Sequence, residues 1–266
     1  MDFPEDTPYW QRRIQEANKR NLSRTNAQLE QELKRLYEEQ SETLYKQILE
    51  VFAKISEDSL DGKIYTNDLY RTNNYHLLLK YFNACAQKLG GKQIQITDEA
   101  VLRTYKYAQS VVEAFAPEGV IQPQFIAPER HIDPVTVINR SWCIDGKNYS
   151  DRIWLGKKEL EKGLRRTLED FCVRGSSPFK LAQELTKRVG VDTYSAYRIA
   201  RTETAHAQVM GQAEKYKELG FTQAKFATDA CDECAALNGQ VFNLNTIQSM
   251  LPRHPNCECS FLLVTD

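Results

Sequence analysis

Between Tyr9 and Asp61 the chain contains neither proline nor glycine, and no other feature restricts its fold as strongly. Leu22, Leu29 and Leu36 recur at intervals of seven, with Leu33 between them. Leu44, Ile48, Phe52 and Ile55 continue one apolar stripe. An apolar stripe at helical spacing with no breaker over such a length predicts a long amphipathic helix, or a broken pair of helices. The stripe changes phase after Leu36, which favours packing against the chain's own helices over a continuous coiled coil.

Downstream, Asp61-Gly62 and Asn73-Asn74 mark turns. Leu77 to Leu89 reads as a helix stopped by Gly90-Gly91, and Thr97 as the N-cap of a further helix carrying Val101, Tyr105, Val111, Val112 and Phe115. Pro117, Gly119, Pro123, Pro128 and Pro134 break the next stretch into loops and mark the seam between two parts, 1–135 and 136–266. A short hairpin around Asp145-Gly146 is predicted between Trp142 and Trp154, then a helix from about Lys157 to Val173. Ser177-Pro178 opens another helix, with proline at the first helical position, and Gly190 closes it. Thr193–Leu219 is again helical, with Gly220 as C-cap. Thr222–Thr228 and Ser260–Val264 read as strands. The fold class expected is therefore mainly α: a long N-terminal helical region followed by a small α+β C-terminal module.

Composition excludes several classes. A hydrophobic fraction of 41% and a charged fraction of 27% belong to an ordinary globular chain. No apolar run approaches the length of a membrane span. The acidic start MDFPEDTPYW lacks the basic-then-apolar pattern of a secretory signal, so synthesis in a reducing cytoplasm is expected. The formal net charge of -1 exerts no overall pull on nucleic acid. Residues 1–60 lean acidic, whereas 150–220 lean basic through residues such as Arg165, Arg166, Lys187 and Arg188. That basic stretch reads as a solvated helical surface, with contact to DNA phosphates as the alternative.

Of seven cysteines, Cys231, Cys234, Cys257 and Cys259 fall at the C-terminal end, together with His254. In a reducing compartment a disulfide framework is not expected. A Cys-x-x-Cys pair can present two thiolates on one side of a turn, and a distant His/Cys pair completes a tetrahedral zinc site. Asn238-Gly239 supplies the chain reversal. Five donors compete for four positions. Because Cys257 and Cys259 point in opposite directions if the stretch is extended, the set favoured is Cys231, Cys234, His254 and Cys257, holding one structural Zn²⁺. Cys259 then packs inward as a small hydrophobe. Cysteines buried without metal remain an open alternative. A thioredoxin-like pair fits poorly, because Asp232 and Glu233 between the thiols oppose thiolate formation.

Upstream lies Arg201-Thr202-Glu203-Thr204-Ala205-His206, inside a predicted helix with Glu203 and His206 on one face. Such residues can form a proton-transfer pair; the simpler reading is a buried polar network, with Arg201 paired to Glu203 or Asp229 and His206 bonded beside the cysteine loop. The whole pattern of Arg201, Thr202, Glu203, His206, Asp229, Cys231, Cys234, Asn238, Gly239, Pro252, His254, Pro255, Cys257 and Cys259 resembles the phage head morphogenesis proteins. These are minor head proteins sharing a phage Mu F-like domain. The close resemblance spans roughly 150–264. Arg253 and Glu258 depart from it, standing where proline and a basic residue are common.

The resemblance implies a virion protein of the head interior or portal vertex, made in the bacterial host cytoplasm. Its implied partners are the portal protein and the major capsid or scaffolding protein. It also implies a role in procapsid assembly at or near the portal and in DNA packaging or delivery; non-specific contact with packaged DNA is read from the basic helices, and neither a membrane nor a small-molecule substrate is expected. Two alternatives stand beside this reading: a nuclease-like hydrolase using His206, Glu203 and Arg201, and an internal DNA-binding protein.

Overall fold

The computed structural model describes residues 7–56, 65–71, 73–117, 141–142, 146–174, 177–228 and 231–264. In chain order its elements are α1 (Tyr9–Ser56), α2 (Thr66–Arg71), α3 (Asn74–Phe115), α4 (Tyr149–Val173), α5 (Pro178–Glu218), β1 (Gln223–Ala227), a 3₁₀ turn (Asp232–Leu237), β2 (Val241–Asn243), α6 (Leu244–Met250) and β3 (Ser260–Leu263). The chain is mainly helical and ends in a small module with three strands, the class expected from its sequence. The turn at Asp61-Gly62, the loops over 118–134 and Asp145 lie outside the described residues. Among the described residues no helix is long and apolar enough to cross a membrane.

Three predicted boundaries are corrected. Gly90-Gly91 does not stop a helix and Thr97 caps nothing: both lie within α3, and Thr97 is fully buried. A glycine in a helix costs only about 1 kcal/mol against alanine, and here Gly90 provides the seat for an aromatic ring. A Cβ at Gly90 would stand 2.5 Å from the Trp154 ring. The 142–154 hairpin is replaced by helix from Tyr149 onward, because Tyr149 and Ile153 extend the buried stripe of α4 by one turn. Gly190 does not end its helix either; α5 runs unbroken from Pro178 to Glu218. With Val189 and Val191 beside it and no second breaker, one glycine is too weak a stop.

The chain forms two compact units. One comprises Glu30–Ile96 and Ser150–Tyr197. Its core takes Leu33, Leu44, Ile48 and Phe52 from α1, Phe82 and Leu89 from α3, Leu164 and Leu168 from α4, and Leu185 and Val189 from α5. Within this unit Lys157 is buried, its ammonium held by Asp192 and the Tyr37 hydroxyl.

The other unit comprises Met1–Leu29, Thr97–Tyr149 and Arg198–Asp266. Residues 203–214 of α5 are buried on every face, which identifies this segment as the unit's central helix. It crosses α3 so closely that a Cβ at Gly211 would stand 2.4 Å from the Tyr105 carbonyl oxygen. The helix ends in paired reverse hydrogen bonds, Gly220 N–H to Lys217 and Phe221 N–H to Tyr216, the expected glycine cap. The antiparallel sheet has the order β2-β1-β3, with Ala224 opposite Leu263 and Phe226 opposite Phe261. Gln11 and Gln15 of α1 hydrogen-bond to the backbone of β3 at Leu263 and Phe261. Tyr216, Phe226, Ile247, Leu251, Cys257, Cys259 and Phe261 share one apolar core.

Candidate metal centre

The centre is built on two excursions from the sheet. After β1 the first places Cys231 before the 3₁₀ turn and Cys234 within it. Cys234 N–H bonds back to the Cys231 carbonyl at 3.1 Å, so the two thiols are displayed from one tight turn. The chain then returns through Asn238 and Gly239. The Asn238 side-chain oxygen accepts the Thr228 N–H at 3.2 Å, and Gly239, with φ at 79°, donates its own N–H to Phe226 at 2.8 Å. Both motif residues therefore tie the ends of this loop to β1. Asp229 lies outside the described residues.

The second excursion follows α6, passes the cis Leu251–Pro252 bond, and delivers His254 and Cys257. Cys257 N–H bonds to the His254 carbonyl at 3.1 Å across Asn256, whose φ is 64°. Sequence spacing alone did not reveal β2 or α6, which carry the chain between the two donor pairs. Both are short, and β2 has little burial to generate an alternating pattern.

Cys231, Cys234, His254 and Cys257 converge, their donor atoms all lying within 4.8 Å of one another. His254 Nε2 stands 3.0 Å from Cys231 Sγ and 3.6 Å from Cys234 Sγ, and Cys234 Sγ stands 3.9 Å from Cys257 Sγ. A tetrahedral zinc with bonds of about 2.0–2.3 Å separates its donors by roughly 3.5–3.8 Å; these three edges lie within about half an ångström of that range, and the whole set, within 4.8 Å, would draw together by up to about 1 Å around an ion. His254 Nδ1 donates to the Pro255 carbonyl at 3.0 Å, which leaves Nε2 as the donor atom facing the thiols, an arrangement usual for a metal-binding imidazole.

The electrostatics are those of mutually dependent donors. The Cys259 thiol hydrogen-bonds to Cys257 and draws it down to about 5 against the effect of burial. Burial raises the Cys231 thiol, but contacts with His254 and Cys234 outweigh this and leave it lowered. Cys234 is pushed up to about 12 by burial and by its neighbouring thiols. A cation placed among them favours every thiolate at once. Cys259 stays outside the quartet, buried in the apolar core and directed at Cys257.

The motif on α5 surrounds the second excursion without supplying a donor to the quartet. His206 Nδ1 lies 2.8 Å from the Leu251 carbonyl, to which it donates. Thr202 Oγ1 accepts the Asn256 N–H at 3.4 Å. Arg201 pairs with Glu258 rather than with Glu203. Glu203 instead accepts from Trp142 Nε1 at 2.9 Å, and the Trp142 ring stacks on His206 with centroids 4.4 Å apart. Burial drives His206 down to about 4, against a small opposing effect of its bond to Leu251. Trp142 could not be found from sequence, because it stands alone beside a proline-rich stretch with no periodicity to place it.

The family model described as phage Mu protein F like protein matches residues 162–262. The matched stretch contains the α5 motif, both excursions and all four converging donors, which confirms the family resemblance read from the sequence. No curated protein and no solved structure matches the chain.

Proposed function

We propose that this chain is a minor structural protein of a tailed-phage head, acting in procapsid assembly at or near the portal. The observation that carries the proposal is the Mu F-like match over 162–262, together with a site whose polar residues are committed to holding loops. His206, Glu203 and Arg201 are occupied by Leu251, Trp142 and Glu258 respectively. A general base needs a free, exposed nitrogen of near-neutral pKa; His206 has neither the exposure nor the pKa. This supports an assembly role over a nuclease-like one.

The Cys/His quartet would hold one structural Zn²⁺ through Cys231, Cys234, His254 and Cys257. Three thiolates and one imidazole form a closed donor set that leaves no position for substrate, and bound zinc supplies folding energy to the loops. We place the contact with the portal on the unit of residues 30–96 and 150–197, a reading supported by the exposed apolar side chains Val173, Phe179, Val191 and Tyr194.

Cosedimentation of the purified chain with purified portal, in the absence of other virion proteins, tests the assignment. The expected result is a saturable complex, and a deletion strain should yield defective heads. No complex, with normal particles from the deletion strain, contradicts it.

A further inference from the structure

The first half of α1 differs in charge from the acidic N-terminal lean as a whole. From Tyr9 to Leu29 it carries Arg12, Arg13, Lys19, Arg20 and Arg24 against the single carboxylate of Glu16. Arg13, Arg20 and Arg24 stand seven and four residues apart and line one groove with Asn21, Tyr107 and Phe115. All six belong to the unit containing the C-terminal module. The groove is open to solvent and has a volume of about 200 Å³, and its three arginines extend over roughly 16 Å of helix at 1.5 Å per residue.

From this groove we infer a binding site for single-stranded nucleic acid, with phosphates on Arg20 and Arg24 and a base stacked on Tyr107. Two features favour this ligand. Tyr107 is 37% exposed despite its ring, and alternating arginines and aromatics are the elements of a sequence-tolerant single-strand platform. The Arg13 guanidinium lies over Phe115 at 5.3 Å, which extends the flat surface available to a second base. Glu16 pairs with Arg20 at 3.2 Å and with Arg13 at 4.0 Å. These pairs are solvent-exposed, and a phosphate can exchange for the carboxylate. An acidic peptide would satisfy the arginines equally, but would leave Tyr107 without a stacking partner.

This site does not rest on the portal assignment. Fluorescence anisotropy of a short labelled oligothymidylate at about 50 mM salt tests it. The intact chain should bind, with affinity falling as salt rises. Arg20→Gln/Arg24→Gln should weaken binding about tenfold or more and flatten the salt dependence by roughly 0.7 in log–log slope per arginine removed. Tyr107→Ala should weaken the oligothymidylate while leaving an abasic oligomer unaffected. Zinc content and melting should match the parent in both variants, since these side chains lie on the surface. Several results overturn the proposal: no binding, unchanged affinity in the double arginine variant, displacement by polyglutamate as effective as by unlabelled strand, or loss only on replacing Arg165, Arg166, Lys187 and Arg188.

Discussion

Gln11 and Leu263 lie 252 positions apart and exchange two hydrogen bonds: the Gln11 amide donates to the Leu263 carbonyl at 3.2 Å and accepts its N–H at 2.9 Å. One side-chain amide thus serves the outer edge of β3 as a neighbouring strand would, and Gln15 repeats the contact at the Phe261 carbonyl. An exposed strand edge invites pairing with other chains, and here α1 occupies it. Gln11→Ala leaves a buried N–H and carbonyl unpaired and should cost about 1–3 kcal/mol. Urea unfolding followed by Trp fluorescence measures this; an unchanged midpoint would show that the contact contributes nothing.

Gly211 and Gly91 should respond in opposite directions. At Gly211 an added methyl meets the Tyr105 carbonyl oxygen, whereas at Gly91 it meets nothing within 4 Å. Gly211→Ala should destabilise by about 1–3 kcal/mol or more as α3 and α5 are forced apart. Gly91→Ala, inside the continuous α3, should stabilise by roughly 0.5–1 kcal/mol. Parallel thermal melts distinguish the two, and destabilisation by Gly91→Ala would refute the unbroken helix.

His206 makes stability depend on acid. Its folded value of about 4 lies below the unfolded value of about 6.5. Between these values the unfolded chain binds a proton that the folded chain refuses, so stability falls as pH falls. The contribution is complete above about 6.5 and should be lost by about pH 4, amounting to at most about 3 kcal/mol. His206→Gln keeps a donor for Leu251 but does not titrate. The difference in unfolding free energy between parent and variant should therefore shrink or change sign between pH 7 and pH 4; a constant difference would contradict the account.

For the portal contact, Val191→Asp/Tyr194→Asp changes two exposed side chains and should alter stability by no more than about 0.5 kcal/mol for each substitution. Cosedimentation with portal should nonetheless fall sharply. Full retention would remove this face from the interface.

The untagged protein should carry about one equivalent of zinc by elemental analysis. Cys234→Ala should abolish that, whereas Cys259→Ala should retain the ion, because Cys259 stands outside the converging donors. A folded, fully reduced and metal-free parent would refute the site.

Much of this arrangement was legible in the sequence because it rests on strong local signals. The absence of breakers across residues 9–56 signalled helix throughout, of which α1 is the unbroken form, and donor type with spacing selected the four residues that converge. What was hidden depends on tertiary packing. Gly90 and Gly190 looked like stops because a glycine penalty is visible in sequence while the Trp154 ring that seats on Gly90 is not. The Arg201–Glu258 pair joins α5 to a loop 57 residues later, and no local pattern links them. Gln11 and Gln15 read as ordinary polar helix positions, since nothing in α1 announces that a strand edge lies against it. Trp142 gave no periodic signal, yet it covers His206 and fixes Glu203.

The most direct test of the assembly role is the position and number of this chain in purified particles, read by crosslinking mass spectrometry with quantification against the portal. The account predicts crosslinks from residues 150–197 to the portal and a copy number comparable with that ring. Absence from particles, or a distribution over the shell at the abundance of the capsid subunit, would contradict it.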